Sequence, residues 1–376
     1  MPARELPLNM MVITGAGASA NLGVDKTALP MMKGWAADLV PRLGFAANQL
    51  GLTEETEGPA FEAIIGRLLA FANALPAVAN LAFMGEQTNV VGDGPRNGTG
   101  VQFNQWHSAA IANNAAIVRT IWASLYESFG RDRIDDDKAT YAYSSLHRLI
   151  RSSFPEKAPH YITHATTNFD SAIEVAIQAS AESFVELLDG FVPASGNARP
   201  RWAPNLLSAG RLDSDGRIPV LHLHGAVGWY YDTQDANVIR RRPTDEPLDD
   251  RLVPALLLPD DTKRPDLFPA PLAEVWAQFE ILLRDATHVF IVGHSLHDEH
   301  LVRAVRASEK PTAVLVLADP DSHRKWKMKY PEQKDEMMRK LPKATLIPGN
   351  FGFGFGRDDE IPDFDEDVFT KWVDRT

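Results

Sequence analysis

No cysteine occurs anywhere in the 376 residues. Disulfides, thiolate zinc centres and cysteine nucleophiles are therefore excluded, and the composition suits a reducing cytoplasm. Long apolar runs are missing as well: no stretch approaches the length that crosses a bilayer. The opening Met1-Pro2-Ala3-Arg4-Glu5-Leu6 lacks the apolar core of a secretory signal. A cytoplasmic protein without membrane attachment is expected. Positive charge is scarce, with 38 Lys and Arg against 50 Asp and Glu and a net charge of −12. That balance argues against broad gripping of nucleic acid. Arg240-Arg241-Arg242 is a local exception, and without interleaved aromatics it reads as a solvated loop before Pro243. At 44% hydrophobic and 23% charged, the chain has the makings of a large folded core. Two domains, or one with a large insertion, are expected.

The stretch that organises the chain is Met10-Met11-Val12-Ile13-Thr14-Gly15-Ala16-Gly17-Ala18-Ser19. It reads as a buried parallel strand, a tight turn and a helix beginning near Ser19, whose first amides would point at a phosphate. Small residues at Gly15 and Gly17 let a phosphate approach the backbone, although they serve ordinary strand-to-helix packing equally well. Lys26-Thr27-Ala28-Leu29-Pro30 is broken by small residues and reads as a loop over the turn. From 31 to 154 the pattern is helical: Trp35, Leu39 and Leu43 recur at intervals of four, and Ile64, Ile65, Leu68, Leu69 and Ile111, Ala115, Val118, Trp122, Leu125 form further stripes. Gly92 to Gly100 separates these helices as an exposed loop.

Beyond this insert the rhythm changes. Apolar strands ending in polar residues are expected within 160–170, 218–225, 288–296 and 313–320, with helices at about 297–307 and 321–339. Strands alternating with helices imply an α/β fold, a Rossmann-like doubly wound parallel sheet spanning 1–30 and 155–350, with 31–154 as a helical insert. Residues 351–376, opening on the Phe-Gly run Phe351 to Gly356, make a tail and a last helix. Ligands of such sheets collect beyond the carboxyl ends of the strands, and each strand here ends in a polar cluster.

Those clusters are Gly15-Ala16-Gly17-Ala18-Ser19, Thr167-Asn168-Phe169-Asp170, Leu223-His224-Gly225 and Gly293-His294-Ser295-Leu296-x-Asp298. In this order they resemble the motif set of the sirtuin-like family of NAD-consuming proteins. The resemblance implies that Gly15, Ala16, Gly17 and Ser19 cradle the pyrophosphate of NAD and that Thr167 lies beside it. It assigns Asn168 and Asp170 to the nicotinamide ribose and a water, and His224 to general base catalysis. Gly293 and Ser295 would contact phosphate or adenosine ribose, with Asp319 near the adenine. Two departures matter. The paired cysteines of the deacylase zinc module are absent, so no zinc is expected, and a helical insert follows the Gly-rich turn where a Pro-Asp-Phe-Arg segment is expected. Both are similar to the bacterial antiphage-defence branch, which hydrolyses NAD to nicotinamide and ADP-ribose. That branch implies a homo-oligomer and an activating partner, such as a HerA-like ATPase.

Other readings stay open. A deacylase, an ADP-ribosyltransferase or a sensor that binds NAD or ADP-ribose without turnover would use the same strand ends. Gly293-His294-Ser295-Leu296-His297 approximates the nucleophile elbow of an α/β-hydrolase, with Asp319 and His323 downstream, and His294, His297 and His300 are spaced as metal ligands. His164 and His222 fall inside strands and receive no role.

Overall fold

Along the first strand the side chains alternate: Met10 and Val12 join one apolar cluster, Met11 and Ile13 another, and all four are buried. A strand buried on both faces belongs in the middle of a sheet covered on both sides. That is its place in the computed structural model of the chain, which describes residues 8–20, 22–24, 32–44, 47–48, 51–53, 64–65, 116–117, 119–152, 160–179, 187–192, 200–209, 218–232, 237–240, 252–257, 271–317, 329–350, 363–364 and 366–374.

In chain order the strands are β1 Leu8–Thr14, β2 His160–Thr166, β3 Leu187–Leu188, β4 Phe191–Val192, β5 Arg201–Trp202, β6 Ile218–His222, β7 Trp229–Asp232, β8 Asn237–Arg240, β9 Leu252–Pro254, β10 His288–Val292, β11 Thr312–Leu317, β12 Thr345–Asn350 and β13 Asp363–Phe364. Eight of them form one sheet in the order β13-β12-β11-β10-β1-β2-β6-β3. Every pairing in it is parallel except β12 with β13. The chain begins at β1, builds one flank with β2, β3 and β6, and then returns to build the other from β10 outward. The strand order therefore reverses at β1, which opens a crevice at its carboxyl end.

Helices Asp136–Ser152, Ala172–Ala179 and Glu366–Asp374 supply the cluster on one face, and Leu272–Asp285 and Glu299–Ser308 the cluster on the other. The doubly wound α/β architecture is as expected. Helix Asp136–Ser152, grouped by periodicity with the insert, lays Ala139, Ala142, Tyr143, Leu146 and Ile150 in the same core as Met10 and Val12. A second, antiparallel sheet, β4-β5-β8-β7-β9, was not legible beforehand. Its Phe191, Trp202 and Trp229 rings stack within 5.0–5.6 Å of one another.

The chain divides into two compact units: Met1–Met31, Phe129–Leu256 and Lys263–Thr376 form one, and Met32–Ser128 with Leu257–Thr262 the other. Within the second, helix Met32–Leu43 buries the expected Trp35, Leu39 and Leu43. Trp35 Nε1 donates to Ser124 Oγ at 3.1 Å, and that hydroxyl donates to Asp38 at 3.0 Å. Of the other expected stripes, Ile64, Ile65, Trp122 and Leu125 are described, with Ile65 and Leu125 buried and Ile64 and Trp122 half-buried. The loops at 26–30 and 92–100, Arg241-Arg242, Asp319, His323 and the Phe-Gly run lie outside the described residues.

Candidate active site

Strands β1, β2, β6 and β10 end level with one another: Thr14 pairs with Thr166 and with Val292, and Thr166 pairs with His222. The ladder overruns each end by one residue. Thr167 N–H donates to Thr14 O at 3.1 Å, Leu223 N–H to Thr166 O at 2.8 Å, and Gly15 N–H to Val292 O at 3.0 Å. Gly15, Thr167-Asn168, His224 and Gly293 are thereby gathered on one edge of the sheet.

The Asn168 amide nitrogen donates to Gly15 O at 3.0 Å and to Ser19 Oγ at 2.9 Å. A backbone carbonyl only accepts, so chemistry fixes which end of the amide faces Gly15, and Oδ1 is the acceptor Asn168 has to offer. Ser19 Oγ passes the chain on by donating to Asp170 Oδ1 at 3.1 Å, which also accepts Ala172 N–H at 3.0 Å. Burial pushes the Asp170 carboxyl above the usual carboxylate range, against the pull of those two bonds. Ser19, Asn168 and Asp170 are all buried. Ser19 was expected to hold phosphate; here its hydroxyl joins the amide to the carboxylate.

His224 sits in the turn that closes β6, where Gly225 N–H donates to His222 O at 3.1 Å. Its Nε2 lies 2.8 Å from Asp298 Oδ2. Phe169 packs beside the imidazole, with ring centres 6.5 Å apart, and Phe169 O accepts Val227 N–H at 2.8 Å. The Thr167–Asp170 loop and the loop after β6 are thus stitched together. Below them His222, without an expected role, bonds Glu174 Oε1 through Nε2 at 2.6 Å and approaches Asn168 O through Nδ1 at 3.3 Å. Burial opposes charge on both, yet the Glu174 carboxylate holds His222 above the usual histidine range and His222 holds Glu174 below the usual carboxylate range.

The glycine-rich turn departs from expectation. The helix is a single turn, Ala16–Ser19, which begins three residues earlier than expected and is too short to build a useful dipole. The amides of Gly15 and Gly17 are spent on Val292 O and Gly293 O, the latter at 2.9 Å. What demands glycine is backbone against backbone. A Cβ on Gly17 would lie 2.9 Å from Gly293 O, and one on Gly293, at φ +63°, only 2.2 Å from Ala18 N. Ala16 and Ser295 remain exposed at the mouth of the turn.

After β10, His294 Nδ1 accepts Leu296 N–H at 2.8 Å, which commits that ring to its own turn. Buried Leu296 takes φ 58°, a strained conformation for a γ-branched residue. Among the described residues no group of three or more His, Asp or Glu could hold a metal ion. Asp298 and Glu174 are the site residues that sequence reasoning missed. Asp298 had a signal, since it closes a strand-end motif just where a helix must be capped.

Residues 163–334 match a family model described as SIR2-like domain. The match covers a little under half of the chain. The match takes in Asn168, Asp170, His224, Gly293, Ser295 and Asp298, while the Gly15–Ser19 turn precedes it. No curated protein matches the chain. Among solved structures, a Sir2 homolog–NAD complex is 14% identical, with 98% of this chain and 88% of that one covered and a TM-score of 0.40. A structure reported for the mechanism and regulation of Sir2 enzymes is 12% identical, covering 98% and 93%, also at 0.40. An ADP-ribose complex of a Sir2 homologue variant is 15% identical, covering 89% and 92%, at 0.37. No helix among the described residues is long and apolar enough to cross a membrane.

Proposed function

We propose that this protein is an NAD glycohydrolase that releases nicotinamide and ADP-ribose. The observation that carries the reading is the placement of a clamped amide, Asn168, and an imidazole, His224, past the ends of neighbouring strands, within the segment that matches a SIR2-like domain model. Nicotinamide leaves NAD as a neutral molecule from a cationic starting point. The site must therefore stabilise an oxocarbenium-like ribose and supply a nucleophile. Asn168 Oδ1 orients a ribose hydroxyl or the attacking water, and His224 accepts the proton. Asp170 acts on the amide through Ser19. The exposed Ala16 and Ser295 receive the phosphates, Gly15, Gly17 and Gly293 let the strand ends close tightly, Thr167 lines the entrance, and Asp319 serves the adenine end. The absence of cysteine and the helical insert support hydrolysis over zinc-module deacylation. The same reading extends to antiphage defence in the cytoplasm by NAD depletion, in a homo-oligomer switched on by a partner such as a HerA-like ATPase.

The test is nicotinamide release from NAD by the purified protein, alone and with a candidate activator, beside an acyl-lysine peptide. Asn168→Ala and His224→Ala are expected to lower turnover by about a thousandfold or more, with thermal midpoints within a few degrees of wild type. Peptide-dependent release would identify a deacylase instead, and tight NAD binding without turnover a sensor.

A further inference from the structure

Asp298 uses its two carboxylate oxygens for different ends. Oδ1 accepts the N–H groups of His300 and Leu301 at 3.0 and 3.1 Å and so caps helix Glu299–Ser308. Oδ2 reaches across to His224 Nε2 at 2.8 Å. The side chains of His224 and Asp298 are only 5% and 6% exposed, so water screens this bond weakly. A cap alone needs one oxygen, and Ser, Thr or Asn would serve. An ionised carboxylate only accepts, so the proton of the second bond resides on Nε2 and the lone pair of the neutral ring on Nδ1. Because the helix start fixes Asp298, the ring bonded to it is fixed too.

We propose that Asp298 is the positioning residue of His224: it sets the Nε2–H tautomer, makes Nδ1 the proton-accepting atom and stabilises the imidazolium formed there. This rests on the reading of His224 as the base in NAD hydrolysis. In that step a water oxygen bonds the anomeric carbon, and the bond from that carbon to the nicotinamide nitrogen breaks with its electron pair returning to the ring. The water's proton passes to Nδ1. Positive charge thus leaves nicotinamide and ends on an imidazolium beside the Asp298 carboxylate.

The test uses the full chain labelled with ¹⁵N at histidine, with His224 assigned by the signal lost in His224→Ala. At a pH where the His224 signals report a neutral ring, that ring is expected as Nε2–H, and an Nδ1–H ring overturns the proposal. Asp298→Asn keeps a capping oxygen but turns an amide donor toward the imidazole, so the tautomer is expected to flip. With it kcat for nicotinamide release is expected to fall about a hundredfold or more while KM stays within about threefold. A flipped ring with kcat within about threefold of wild type overturns the proposal. Should Asp298→Asn fail to fold, the wild-type tautomer decides alone. Wild-type protein that carries the Nε2–H ring yet releases no nicotinamide under any condition overturns the hydrolase reading and supports the Asp298 contact, which keeps the two failures apart.

Discussion

Two histidines stand two residues apart at the end of β6, and each is bonded to a carboxylate. His222 is in the strand, sealed with Glu174 in the core; His224 is two residues past the strand, at the edge where the polar loops meet. Both pairs are buried, so place along the strand is what separates them. The pair in the strand is also bonded to the backbone of Asn168 and has nowhere to send a proton, so it holds shape. Under the proposed function, the pair past the strand end takes a proton from the attacking water and keeps its orientation while doing so. Position relative to the strand end, rather than residue type, decides which carboxylate–imidazole pair is structural.

The sharpest way to break this comparison is to exchange the readouts. His224→Ala is expected to cost about a thousandfold in turnover, equivalent to about 4 kcal/mol of barrier, and under about 1 kcal/mol of folding stability by urea titration. Glu174→Ala is expected to do the reverse. Removing one member of a sealed ion pair should cost about 3 kcal/mol of stability at mildly acidic pH, with kcat of the folded fraction within about fivefold. A large kcat effect with unchanged stability would erase the distinction.

The Glu174 contribution should also depend on pH in a defined sense. The depressed Glu174 gives stability that is present above its ordinary value of 4.5 and lost as pH falls through its lower folded value. The elevated His222 gives stability that is present below its ordinary value of 6.5 and lost as pH rises through its higher folded value. The difference between wild type and Glu174→Ala should therefore be widest between those two ordinary values and shrink toward alkaline pH. Urea titrations across that range check it, and a flat difference would show that the pair is not ionised. The smallest effect belongs to the rim: Ser295→Ala, at an exposed position, should raise KM for NAD less than about tenfold and leave stability within about 0.5 kcal/mol.

Much of this was legible because the signals were local. Apolar runs ending in polar clusters located β1, β2, β6, β10 and β11, and the helical pattern at about 297–307 located helix Glu299–Ser308. The second sheet escaped notice because β4 and β5 are two residues long and β7 to β9 three or four, too short for a period of two to register. The contacts that turn a residue list into a site were equally invisible. Ser19 meets Asp170 across 151 residues and His224 meets Asp298 across 74, so only folding reveals that Ser19 links two polar groups and that a helix cap doubles as a brace. The glycines fit two readings in the sequence, room for a phosphate or close packing, and the contacts at Gly17 and Gly293 are backbone packed to backbone.

The Gly15 N–H is tied to Val292 O and its carbonyl to the Asn168 amide, so a single residue without a side chain is the coupling rod between the β10 terminus and Asn168. The segment that carries Gly293 to Asp298 is thereby tied to Asn168 through Gly15 and to His224 through Asp298. Lesions at 293–298 and at 168 should accordingly fail to add, each spoiling alignment that the other had already lost.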